Sequence, residues 1–125
     1  MPITWFNERP KECIVTLTPG NITLNKPATT FFETAYSVML GIDIDQRTVI
    51  IKPLTKTQHL RHDVPDTKKY RITVRSSYSR ITNKAFINEV SKLFDLVLPP
   101  EGRKYVSLWS NKDNILVVDL KEEIK

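Results

Sequence analysis

The stretch GNITLNKPATTFFETAYSVMLGIDIDQRTVIIKPL, from Gly20 to Leu54, decides the fold. It opens on a short strand, Ile22 to Leu24. Asn25 follows as a helix N-cap, and Pro27 suits the first helical turn, where a missing N–H does no harm. Ala28, Phe31, Phe32 and Ala35 recur at helical spacing and predict one apolar stripe over two to three turns. Val38, Leu40, Ile42 and Ile44 then alternate with Met39, Gly41, Asp43 and Asp45. Asp45, Gln46 and Arg47 turn the chain, and Thr48 to Leu54 returns as a strand whose end or edge is marked by Pro53.

Upstream, Glu12 to Thr18 alternates, with Cys13, Val15 and Leu17 on one face, and Pro19, Gly20 and Asn21 supply a turn. Residues 12–54 therefore read strand, strand, helix, strand, strand. The same order recurs over 70–120. Tyr70, Ile72 and Val74 point inward against Arg71, Thr73 and Arg75 outward, and Ser76 to Ser79 turns into a short strand, Arg80 to Thr82. Asn83 caps a longer helix with Phe86, Ile87, Val90, Leu93 and Phe94 on its apolar face. A break at Pro99, Pro100, Glu101 and Gly102 leads to a last hairpin, Tyr105–Trp109 and Ile115–Leu120. The helix starts NKPATTFF (from Asn25) and NKAFINEV (from Asn83) match in kind. A half-unit repeated in a short chain implies two halves sharing one core about an approximate twofold axis. The expectation is a single domain over 1–125, mostly β (α+β), with a small barrel-like core and two short helices. Residues 55–69 are polar and form the linker between halves, long enough to be mobile in part or to cover a surface. The charged tail from Lys121 is expected to fray.

A chain of 125 residues can bury a core without metal or disulfide support. Its three glycines, Gly20, Gly41 and Gly102, are too few and too scattered for a glycine-rich phosphate loop. The single cysteine, Cys13, forms no internal disulfide and no cysteine-based zinc site, and a reducing, cytoplasmic setting is the simplest expectation. MPITWFNERPKE lacks a signal-peptide pattern, and no apolar run approaches the length of a membrane helix. Trp5 and Phe6 read as a short apolar arm on the core, or as a contact with a second subunit.

The net charge of +5 is concentrated in the centre. Between Thr55 and Lys84 stand eight Lys or Arg and two acids, an excess of +6 that leaves −1 for everything else. Such an excess is a footprint for nucleic acid or, equally, a solvated surface. Arg71 and Arg75 share one strand face about 13 Å apart, which suits two phosphates along a backbone, and arginine forks match phosphate oxygens. Arg80 and Lys84 extend that face if the short strand and the helix start lie beside it. Lys68 and Lys69 would steer a polyanion without reading bases. Tyr78, between Arg75 and Arg80, either stacks on a ligand or covers the turn.

Other chemistry is thin. His59 and His62 have a spacing that suits a metal on a helix, with Asp63 and Asp66 nearby, but the segment reads as linker. Asp43 and Asp45 begin like a calcium loop without its glycine or terminal glutamate, so a hairpin turn is expected there. Cys13 reads as an inert small hydrophobe. No catalytic triad or carboxylate pair stands out. The expectation is a non-catalytic protein with no cofactor, no metal, no small-molecule substrate and no membrane partner.

Gly20 to Leu54 resembles the AbrB-like swapped-hairpin module of the AbrB/MraZ-like (SpoVT-AbrB) family. The family's Gly-x-[IV]-x-[IVL] strand matches Gly20–Leu24, its helix Pro27–Ala35, its Val-x-Leu strand Val38–Ile44, its acidic turn Asp43–Gln46 and its closing strand Val49–Pro53. The resemblance implies dimers that lend hairpins to a shared double-split barrel, or, as in the MraZ group, two modules in one chain. It implies transcription regulators or antitoxins that bind duplex DNA through the first strand, the turn after it and the helix start. This chain departs there: Asn21 stands where the family has arginine, Thr29, Thr30 and Phe31 occupy the helix, and only Lys26 remains basic. The second half keeps Arg71, Arg75, Arg80 and Lys84. The implied basic face is lopsided, and a homodimer would restore its symmetry. The alternative expectation is a protein-interaction module, antitoxin-like or a phage-accessory scaffold, that kept the fold and lost DNA binding.

Overall fold

Alternation along each apolar run produces eight strands of one antiparallel sheet. They are β1 (Cys13–Leu17), β2 (Asn21–Leu24), β3 (Ser37–Asp43), β4 (Thr48–Leu54), β5 (Thr73–Val74), β6 (Ser79–Thr82), β7 (Arg103–Ser110) and β8 (Ile115–Ile124). Among the described residues three α-helices accompany them: α1 (Lys26–Thr29), α2 (Lys56–Leu60) and α3 (Lys84–Phe94). The computed structural model describes residues 3–4, 12–61 and 65–124. Trp5, Phe6, His62 and Asp63 lie outside the described residues, as does the side chain of Asp66.

The strand order is β3-β4-β8-β7-β1-β2-β6-β5. Its two ends meet where Tyr70, just before β5, exchanges backbone hydrogen bonds with Val38 of β3, both 2.8 Å. The sheet thus curls into a barrel-like form. Inward positions such as Val15, Leu17, Ile22, Leu24, Ile51, Ile81 and Leu116 are fully buried in one cluster. Truncating one of these to alanine is expected to cost about 2–5 kcal/mol.

β2 and β6 run antiparallel, with Asn21 opposite Thr82 and Leu24 opposite Ser79. The helices that follow them therefore leave the sheet at opposite ends. Ala28 and Phe32 enter the core from the α1 side, and Ile87, Val90 and Phe94 from α3. Each of these two helices also meets a hairpin distant in sequence. Phe31 stacks on Trp109 of β7 at 4.5 Å between centroids, and Phe94 lies under the Arg47 guanidinium of the β3–β4 turn at 5.1 Å.

Capping follows the sequence signals. Asn25 Oδ1 accepts from the Ala28 N–H at 3.2 Å and from Ile14 N–H at 3.0 Å, and its Nδ2 donates to the Glu12 carbonyl at 2.9 Å. One side chain thus starts α1 and clamps the end of β1. Asn83 Oδ1 accepts from Phe86 N–H at 3.0 Å in the same role for α3.

Several expectations need correction. The linker is not structureless: Thr55 and Gln58 form a capping box that starts α2, and Asp66–Lys68 makes a 3-10 turn. The helices therefore number three among the described residues, not two. The first helix is shorter than expected, four α residues continued by a 3-10 turn at Thr30–Phe32. Phe31 leaves its core stripe and is exposed, because Trp109 offers it a stacking face outside. Ile44 falls in the turn after β3 and is exposed. Tyr70, expected inward, is exposed where the sheet ends meet. The tail does not fray before Ile124: β8 continues through Lys121–Ile124, paired there with Lys104 and Tyr105 and held by an Arg103–Glu123 ion pair.

Gly102, before β7, has φ +84°. A Cβ there would stand 2.8 Å from the Leu17 carbonyl oxygen and 2.8 Å from Thr16 Cγ2. Gly102→Ala is therefore expected to destabilise the fold by at least about 1–3 kcal/mol, read as a lower denaturant midpoint with an unchanged slope. An unchanged midpoint would show that β1 gives way freely.

Candidate nucleic-acid interface

The barrel's outer face over β5, β6, β2, β1 and β7 is built by strand register. Ile72 is buried and Val74 half-buried, so Arg71, Thr73 and Arg75 project outward and are exposed. Thr73 stands directly opposite Arg80 of β6. Arg80 in turn stands opposite Thr23 of β2, Thr23 opposite Thr16 of β1, and Thr16 opposite Lys104 of β7. A single outward row thus reads Thr73, Arg80, Thr23, Thr16, Lys104. With about 4.8 Å between neighbouring strands, Arg80 and Lys104 are about 14 Å apart along it. Arg71 and Arg75 flank the row on β5.

The Arg80 guanidinium lies 5.4 Å from the Tyr78 ring centroid, so the tyrosine covers the turn and steadies the arginine in one step. Lys84 is exposed in the first turn of α3, beyond the Thr82 end of β6. Among the described residues, Arg71, Arg75, Arg80, Lys84 and Lys104 make no ion pair. Arg103 is different: its hydrogen bond to the Glu123 carboxylate holds it charged and partnered, so it adds nothing to the face.

The remaining sequence candidates separate from this cluster. Lys69 Nζ donates to the backbone carbonyls of His59 and Arg61, at the end of α2. Lys68 is exposed in the 3-10 turn. Lys26 starts α1 and lines a recess with Cys13, Pro27 and Phe31. Lys104, which the sequence reading missed, joins the row only through the β1–β7 register.

His59 is not arranged with a metal. Its Nδ1 is 2.9 Å from Ser37 Oγ, and among the described residues no group of His, Cys, Asp or Glu is placed to hold an ion. Asp43 Oδ1 accepts from Gln46 N–H, which makes it part of a turn. Burial pushes the Cys13 thiol above its ordinary value of 9.0, so little of it is the reactive thiolate at neutral pH. No helix among the described residues is long and apolar enough to cross a membrane. Comparison with protein-family models, curated proteins and solved structures gives no match.

Tyr105 is buried with a hydroxyl that has no hydrogen-bond partner among the described residues. Desolvation by burial pushes its hydroxyl above the ordinary value of 10.0, opposed by the nearby Arg103 charge and helped to a lesser extent by that of Glu123. The folded form thus holds the proton more tightly than the unfolded chain. Stability from this group is complete below the unfolded value and is lost as pH rises through the raised folded value. Tyr105→Phe should therefore match or exceed the parent's stability at pH 7 and show a flatter decline above about pH 10. Denaturation midpoints from pH 7 to 11 check this, and an unchanged alkaline decline would assign it to other groups.

Proposed function

We propose that this chain is a DNA-binding, transcription-regulator-like protein of the AbrB/MraZ-like class, with two modules in one chain. It grips duplex DNA through the outer face around Arg80. The observation that carries the reading is the arrangement of Arg71, Arg75 and Arg80 about one outward Thr73–Arg80 pair, none of the three in an ion pair among the described residues. Threonines at 16, 23 and 73 keep the row low and supply hydroxyls, so a phosphate backbone can approach the arginines. Lys84 and Lys104 extend the charge, and Lys68 lies beyond it.

Strand pairing supports the two-module reading. Thr16–Thr23 and Leu17–Ile22 in the first half stand where Thr73–Arg80 and Val74–Ser79 stand in the second. Cys13–Ser107 stands against Tyr70–Val38 in the same way. Exchanging β1–β4 with β5–β8 leaves the circular strand order unchanged, and each closing hairpin packs on the helix of the other half. These relations support reading the chain as two swapped-hairpin modules. Under the exchange, Arg80 takes the place of Thr23 and Arg71 that of Ile14, so the charge belongs to one half only.

Each phosphate neutralised releases about 0.9 counterion, so log affinity should fall steeply with log salt. Fluorescence anisotropy on duplex DNA is expected to show binding at low salt that weakens toward physiological salt. Arg71→Ala with Arg75→Ala should lower affinity at least about tenfold and reduce the salt slope by about 2. Salt-insensitive binding, or no loss in the double variant, would overturn the reading.

A second reading rests on a separate surface. Outward positions Ile50, Val117 and Leu108 are neighbours across β4, β8 and β7, and Leu108 is 71% exposed. This apolar strip favours a protein partner, a second copy of the chain included. Light scattering over a concentration series tests the self-association. Leu108→Lys is expected to reduce any dimer at least about tenfold, and a monomer at every concentration would exclude the second copy.

A further inference from the structure

The two places where one half's first strand meets the other half's hairpin are built differently. β1 pairs β7 over five positions, from Cys13–Ser107 to Leu17–Arg103. The counterpart, the segment before β5 against β3, is joined by the single bridge at Tyr70–Val38. Beside that bridge lies a recess of about 440 Å³ lined by Tyr36, Ser37, His59, Lys69, Tyr70 and Arg71. The zipped seam carries a recess of about 300 Å³ as well, but a mostly apolar one, with Cys13, Phe31, Val106, Leu108 and Trp109 beside Glu12 and Ser107.

The opened seam gathers groups of two kinds. Arg71 brings a guanidinium without an ion pair among the described residues. Tyr36 is 53% and Tyr70 36% exposed, so both rings are available to solvent. The His59 ring rests against Tyr36 at 4.6 Å, and its Nδ1 is taken by the buried Ser37 hydroxyl at 2.9 Å. That bond fixes the imidazole and leaves Nε2 as its nitrogen for a ligand. The Lys69 ammonium, held by two carbonyls, adds its charge to the wall. Aromatic faces beside an arginine fork are what a single nucleotide needs: a ring for the base and a bidentate donor for the phosphate. The volume is within the ordinary range for a small-molecule site.

We propose that this recess binds one nucleotide unit, its base on Tyr36 or Tyr70 and its phosphate on Arg71 with His59. The occupant is either a free mononucleotide or an unpaired nucleotide at the end of a strand. The pocket does not depend on duplex binding by the outer face, although Arg71 serves both.

The test is calorimetric titration of the full chain with adenosine 5′-monophosphate, adenosine, inorganic phosphate and a 5′-phosphorylated tetrathymidylate. The mononucleotide should bind at least about tenfold tighter than adenosine or phosphate alone, because only it engages both groups. Tyr36→Leu and Arg71→Gln should each weaken it at least about fivefold, while Lys92→Gln on the exposed side of α3 leaves it unchanged. Both substituted side chains are exposed, and matching thermal midpoints would confirm that the variants fold. Tetrathymidylate binding tighter than the mononucleotide supports the pocket with a strand end as its source, and weaker binding supports it with a free nucleotide. A mononucleotide no tighter than phosphate overturns the assignment. So does a loss in Arg80→Gln as large as that in Arg71→Gln, since it would place the ligand on the outer face. Failure of duplex binding with mononucleotide binding intact would remove the duplex reading and leave the pocket.

Discussion

Of the pairings between distant strands, β2 with β6 and β4 with β8 fix the register of this barrel-like sheet, and the other elements depend on them. At the first, Ile22 faces Ile81, and at the second, Ile51 faces Leu116. All four side chains are fully buried. Because strand side chains alternate, a slip of one residue at β2–β6 would turn Ile81 to solvent and Arg80 into the core. Burying an unpaired guanidinium costs several kcal/mol, so the core fixes the register, and the register fixes where the arginines stand. The candidate interface is thus the outer side of the same residues that specify the fold.

The order of elements was legible because its signals are local. Asn25 and Asn83 cap helices, Pro27 suits a first turn, and alternation marks inward residues such as Val15, Leu17 and Ile72. The signal for α2 was local too, in Thr55 and Gln58, but the polar composition around it masked the capping box. What the sequence could not show was which strand lies beside which. Lys104 joined Arg80 only through two intervening threonine positions, and the tail became a strand because Lys104 and Arg103 hold it. Phe31 and Tyr70 sat at apolar spacings yet ended outside, one drawn to Trp109 and the other placed at the seam. For the site, alternation alone placed Arg71 and Arg75 outward, while Arg80 joined them only through the β5–β6 register and the Ser37–His59 contact needed a helix inside a segment read as linker.

The asymmetry of charge has a structural counterpart. One seam is closed by a regular ladder and lined by apolar groups, and the other is held at one bridge and lined by tyrosines, histidine and cations. The two seams thus differ both in how far they are paired and in the chemistry beside them.

The β1–β7 contact has a further consequence for how the chain reaches its fold. Ser107 Oγ donates to the Cys13 carbonyl across a separation of 94 residues. β1 is therefore completed only once β7 has been made, and it carries an unsatisfied edge until then. Non-local pairings of this kind place a domain among slow folders, on the order of milliseconds to seconds, because loop closure precedes the contacts that reward it. During synthesis that waiting edge, with Ile14 beside it, is where the nascent chain is most open to pairing with the wrong strand.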